Sequence, residues 1–222
     1  MSDVFRNLDW SSLVNTAVLS IIPALICITF HELSHGFVAY KLGDRTAKDM
    51  GRLTLNPIKH IDIFGLLMMV VFGFGWAKPV PVNMRNFKKP KRDMAITALA
   101  GPVANLILAC IFFAIYGAVY TALLRTSAGA IVLQMILRTA YLNVALAIFN
   151  VIPIPPLDGS KVLFSLLPDR NYYQLMRYER YGMIVLLILV YSNFIGTPLA
   201  NITMSVYNFF ANIANGVHML VG

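Results

Sequence analysis

Charge is scarce in this chain. Of its 222 residues only 13% are Asp, Glu, Lys or Arg, against 58% hydrophobic, which excludes an ordinary soluble core and fits an integral membrane protein. Glutamate is rarer still, occurring only as Glu32 and Glu179, and there are four histidines and two cysteines. Cys27 and Cys110 each lie in apolar helical stretches, where a free thiol behaves as a small hydrophobe, so neither a disulfide framework nor a thiolate zinc site is expected. No glycine-rich phosphate loop precedes a helix, which leaves a nucleotide-driven enzyme without support. The N-terminal stretch MSDVFRNLDW carries Asp3 and Asp9, and no small-residue cleavage site follows its apolar run. The first hydrophobic segment is therefore expected to be retained rather than removed as a signal peptide. With no internal repeat or low-complexity linker, residues 1–222 read as a single integral membrane domain.

The charge that is present is lopsided. The net +8 comes from basic residues gathered at Lys41, Arg45, Lys48, Arg52 and Lys59, then from Lys78 to Arg92, then at Arg170, Arg177 and Arg180. The segment around Arg125 is nearly uncharged, and no Lys or Arg follows Arg180. Short basic loops stay cytoplasmic and attract anionic lipid headgroups, so the pattern reports topology and a lipid-bilayer partner; no nucleic acid is expected.

The expected fold is an all-α polytopic bundle of about five or six transmembrane helices. Leu13 to Tyr40, Ile96 to Leu123 and Ala140 to Leu167 are each long enough to cross about 30 Å of hydrocarbon at 1.5 Å per residue. Two further spans, Tyr181 to Ile195 and Leu199 to Leu220, flank the turn Gly196-Thr197-Pro198. Ile63 to Ala77 is apolar but lies between two basic loops, so it is expected to be re-entrant or interfacial. The N-terminus then lies outside and the C-terminus inside. Arg138 is expected to open the third long span and snorkel outward.

Three ionisable groups interrupt the first span, in TFHELSHGFV from Thr29 to Val38. A charged group at the bilayer centre costs about 2.5 kcal/mol or more, so each needs a compensating partner. His31 and His35, four apart, share one helix face with Glu32 close by, which is the H-E-x-x-H pattern. Two such histidines can hold zinc while the glutamate takes a proton from water acidified by the metal. The plainer alternative is a pair of helix-face histidines bonded to neighbouring backbone. An extended motif needing Gly and His where this chain has Val38 and Lys41 is excluded, and Glu179 lies in a basic stretch. Asp44, Asp49 and Asp62 remain as third ligands but sit near basic loops. Asp158, in NVIPIPPLDGSKV, lies inside a span where an unpaired carboxylate is costly. His31 and Asp158 are each about ten residues from a basic boundary, so at 1.5 Å per residue both lie roughly 15 Å below the cytoplasmic end. Pro153, Pro155 and Pro156 remove three backbone donors, and such irregular backbone at depth must be buried or line a watery cavity. The alternative is a proline kink with Asp158 capping the helix that begins at Gly159-Ser160.

At these residues the chain resembles the site-2 protease family of intramembrane zinc metalloproteases. The resemblance is carried by His31-Glu32-Leu33-Ser34-His35, by AGPVANL from Ala100 to Leu106, and by Asn150 through Gly159, with GRLTLNP and GWAKPVPVN between the spans. It implies that His31, His35 and Asp158 bind one Zn2+ per chain, that Glu32 is the general base, and that Asn150 is catalytic by positioning substrate or polarising its carbonyl. It further implies a multi-pass protein of the cell membrane, active toward the cytoplasmic side, that cuts transmembrane segments of other proteins. No PDZ or CBS domain is seen, and the oligomeric state is left open. GRLTLNP alternates Leu53 and Leu55 with polar neighbours, a strand-like period that could pair with an unwound substrate or merely pack between basic stretches. Asn150 could equally be a helix-packing donor, and Asn105 reads as an aid to helix contact. His60 reads as interfacial and His218 as without a chemical role. Two rivals remain: a membrane metal-ion transporter, which accounts for the ligands but not Glu32, and a catalytically silent zinc-binding scaffold.

Overall fold

The computed structural model describes residues 10–65, 76–192 and 196–221. Among the described residues five long helices and one short one follow in order: α1 Trp10–Lys41, α2 Pro90–Leu123, α3 Ser127–Val151, the short α4 Asp158–Ser165, α5 Asp169–Tyr191 and α6 Gly196–Val221. Between α1 and α2 the described residues form short turns, among them Thr46–Asp49, Pro57–His60 and Met84–Asn86.

Local chemistry sets the boundaries. Gly43, at φ 112°, turns the chain out of α1 in a conformation that residues with a Cβ rarely adopt. Pro90 opens α2 at a position where its missing N–H costs nothing, and the Asp93 carboxylate accepts the Lys89 N–H at 2.9 Å. Thr126 caps α3, its hydroxyl accepting from the Gly129 N–H at 3.0 Å.

Among the described residues, length and composition qualify three helices to cross a membrane: Leu19–Lys41 of α1, then α2 and α3. Within α5 the stretch Tyr181–Val190 is apolar but shorter. Helix α6 covers the expected span Leu199 to Leu220, and α5 carries the expected Tyr181 to Ile195 stretch as far as Tyr191. The third span differs from expectation, because α3 begins at Ser127 and ends at Val151 instead of running from Ala140 to Leu167. The shift has a cause. Arg138, expected at a span end, lies within α3, where its Nη1 donates to Ser20 Oγ at 3.1 Å and so shares its charge with α1. At the other end the proline-rich segment halts the helix, and Asp158 opens α4 as a separate short element.

Residues 53–55 form bends, and no strand occurs among the described residues, so the alternation of Leu53 and Leu55 does not build a ladder there. Of the expected re-entrant segment Ile63 to Ala77, residues 66–75 lie outside the described residues.

Helix α2 is the spine, packing against α3, α1, α6 and α4. Ala109 and Phe113 of α2 meet Ala140 and Val144 of α3 and Ala214 of α6 in a buried cluster. Small residues let these backbones close in where a hydrophobic effect between helices is weak: a Cβ on Gly117 would collide with the backbone of Ala214. That close packing fixes α2 against α3 and α6, and α2 in turn packs on α1, where the site lies.

Candidate metal centre and its cavity

His31 and His35 project from one face of α1 toward the start of α4. Their Nε2 atoms lie 3.0 Å apart, and Asp158 Oδ2 lies 3.2 Å from the first and 3.1 Å from the second. All three residues are buried. His31 and Asp158, expected at a similar depth, meet here across 127 residues of chain. Asp44, Asp49 and Asp62 stand elsewhere: Asp62 Oδ1 accepts the Gly65 N–H at 2.8 Å, Asp49 pairs with Arg45, and Asp44 is held in the loops.

The donor set fits a divalent ion. His35 Nδ1 lies 2.7 Å from the Thr97 carbonyl oxygen. A carbonyl only accepts, so Nδ1 carries the ring proton and Nε2 presents its lone pair to the cluster. His31 Nδ1 likewise meets an oxygen, Oδ1 of Asn105, at 2.6 Å. Electron-pair donors brought this close repel one another unless a cation lies between them. A tetrahedral zinc with bonds of about 2.0–2.1 Å places its ligand atoms about 3.3–3.4 Å apart, slightly more than the three edges observed here. The group can hold such an ion and leaves a fourth position open.

Helix α2 backs the cluster through Gly101. A Cβ there would fall 2.5 Å from His35 Nε2 and 2.6 Å from His31 Cε1, so glycine is required by the close approach. On the far side Lys161 Nζ sits 3.6 Å from Asp158 Oδ1 and 4.0 Å from Glu179 Oε1. Its charge falls on the carboxylate oxygen that faces away from the histidines.

The cluster opens into a cavity of about 520 Å³. Glu32 lines it, with Oε2 accepting the Val80 N–H at 2.7 Å. Asn150 lines it as well, but donates from Nδ2 to Leu146 O at 2.9 Å within its own helix. His60, expected to be interfacial, is 1% exposed, lines this cavity, and has Nε2 at 2.9 Å from Thr54 O, while its Nδ1 is buried without a partner among the described residues. His218 stands apart, edge-on to Tyr120.

Comparison with known proteins points the same way. The family model for Peptidase family M50 matches residues 19–130 and 117–192. Three relatives are each named "Putative zinc metalloprotease". YwhC of Bacillus subtilis is 45% identical over 175 residues, covering 76% of this chain and 78% of the relative. Rip2 of Mycolicibacterium smegmatis is 29% identical over 193 residues, covering 85% and 71%. MJ0611 of Methanocaldococcus jannaschii is 33% identical over 154 residues, covering 67% and 73%. No solved structure matches.

Proposed function

The chain belongs to peptidase family M50, the site-2 protease family, and from that premise we propose that it hydrolyses peptide bonds within or beside transmembrane segments of other membrane proteins. The observation that carries this reading is the meeting of His31, His35 and Asp158 around one point, with Glu32 on the wall of the same cavity. His31, His35 and Asp158 hold one Zn2+. When bound, the ion supplies Lewis acidity, which makes water a nucleophile near neutral pH and polarises a peptide carbonyl.

The chain's own residues do the rest. Glu32 accepts the proton of the attacking water and delivers it to the leaving amine as the C–N bond breaks. The Val80 N–H ties down Oε2, which holds the carboxylate toward the cavity and leaves Oε1 to exchange the proton. Asn150 keeps its oxygen and second N–H for the substrate backbone after its one bond to Leu146. A substrate helix must unwind first, because its carbonyls are bonded within the helix, and a cavity of about 520 Å³ suits a short extended stretch. The basic loops favour the cytoplasmic side of the cell membrane for the site.

Glu32→Gln tests the reading. In lipid vesicles carrying a transmembrane peptide, the variant should keep one zinc per chain and cut at least about 10²–10⁴-fold more slowly. Undiminished cutting would remove Glu32 from its role. Zinc crossing the vesicles with no cutting by the unaltered chain would favour a transporter.

A further inference from the structure

We propose that Asn105 and Asn143 are positioning residues that select the metal-ready tautomer of His31 through a directed hydrogen-bond relay; this rests on the zinc-protease reading above. The direction can be worked out from the far end. The Thr139 carbonyl oxygen can only accept, and Asn143 Nδ2 donates to it at 2.8 Å. Asn143 must therefore present its oxygen to α2, where it accepts from Asn105 Nδ2 at 2.6 Å. A second carbonyl, that of Cys27 on α1, lies 3.3 Å from the same Nδ2 and fixes the Asn105 amide independently. Only the Asn105 oxygen is left for His31 Nδ1, 2.6 Å away.

An amide oxygen accepts and does not donate, so the proton of His31 sits on Nδ1. Its Nε2 is then bare, toward Asp158 and His35. With the amide reversed, its NH2 would face Nδ1 and the ring proton would move to Nε2, into the space a metal needs. Three helices thus contribute to one choice of tautomer. His35 reaches the same state in a single step, through the Thr97 carbonyl.

Helix association alone does not explain the arrangement. Asn105 and Asn143 are both 0% exposed, and two amides pair across a membrane helix contact equally well in either sense. Only a terminal acceptor such as Thr139 O and a reader such as His31 give the sense a consequence. Partners of a ligand's second nitrogen commonly set metal affinity by 10–100-fold.

The test measures zinc affinity of the purified full-length chain by competition with a chromophoric chelator, so it does not depend on cleavage. Asn105→Leu keeps the size and removes the acceptor; it should bind zinc about 10–100-fold more weakly. Asn105→Asp keeps an oxygen toward His31 but loses both N–H donors, and should bind within about threefold of the unaltered chain, or tighter. Asn143→Leu leaves the Cys27 anchor in place and should fall between the two. A helix-packing role predicts a different order, with Asp as damaging as Leu because both lose the donors. Equal loss in Asp and Leu, or no loss in Leu, overturns the proposal. Should the Leu variant fail to fold, Asp against the unaltered chain decides: matching affinity upholds the relay and a tenfold loss overturns it. An unaltered chain without zinc affinity overturns the metalloprotease reading itself, which is a separate result.

Discussion

Two aspartates, Asp44 and Asp158, are buried to nearly the same degree and are treated in opposite ways. Asp44, 0% exposed at the end of α1, is surrounded by donors: Thr46 N–H, Thr46 Oγ, Asn83 N–H and Asn86 Nδ2 all reach its oxygens within 3.1 Å. Asp158, 7% exposed, faces two imidazole nitrogens, with Lys161 Nζ 3.6 Å from its other oxygen. A structural carboxylate is satisfied by the protein's own hydrogens, and it pins the Asn83–Asn86 loop to α1. Asp158 is aimed instead at two ring nitrogens, and in the proposed centre its Oδ2 would be completed by the metal ion. Burial alone does not separate the two; the identity of the neighbours does.

Asp158→Ala should break the comparison most visibly. Removing one of three donors should take zinc content from one per chain to near none, as read by metal analysis after dialysis. Full occupancy would place the third ligand elsewhere. Gly101→Ala should come next, since its methyl must push both imidazoles aside; at least about tenfold weaker zinc binding is expected from this displacement of the ligands. Unchanged affinity would show that the rings can retreat.

The loop aspartate should respond in stability rather than in metal. Asp44→Ala strands several buried donors and should lower the folding free energy by roughly 1–3 kcal/mol with zinc content intact, as seen by thermal unfolding. Burial raises the Asp44 carboxyl, but the bonds from Thr46, Asn83 and Asn86 outweigh it and leave it below its ordinary 3.8. A group depressed on folding stabilises above its unfolded value and loses that contribution as pH falls through the folded one. The unaltered chain should therefore lose stability below about pH 4 more steeply than Asp44→Asn does. Parallel acid profiles would dismiss Asp44 as a pin. Least of all should change with Arg45→Ala, because Arg45 and Asp49 form an exposed pair and such pairs are worth at most about 1 kcal/mol.

The comparison also marks where sequence reasoning reached and where it stopped. His31, Glu32 and His35 were legible because a helix repeats every 3.6 residues, and Asp158 because a lone carboxylate at membrane depth needs a partner. Their meeting could be placed in height but not in the plane of the membrane, which depends on how α2 packs. Asn105 and Thr97 were missed as partners of the histidines: a backbone carbonyl leaves no signature in sequence, and a buried amide looks the same whether it joins helices or orients a ligand. The hints for Asn105 were its place in AGPVANL and its spacing of four from Gly101, which puts the two on one face of α2. The start of α3 was misjudged because Arg138 resembled a boundary, whereas its charge is met by Ser20 on another helix.

One consequence concerns timing. In synthesis the two histidines precede Asp158, which follows 127 residues behind His31 on a short helix that begins only after the proline segment. A nascent chain that ends anywhere before residue 158 carries two imidazoles and lacks the carboxylate that closes the set. If these three residues hold the metal as proposed, the set is completed only when α4 has docked against α2, and a shorter nascent chain would lack the proposed centre.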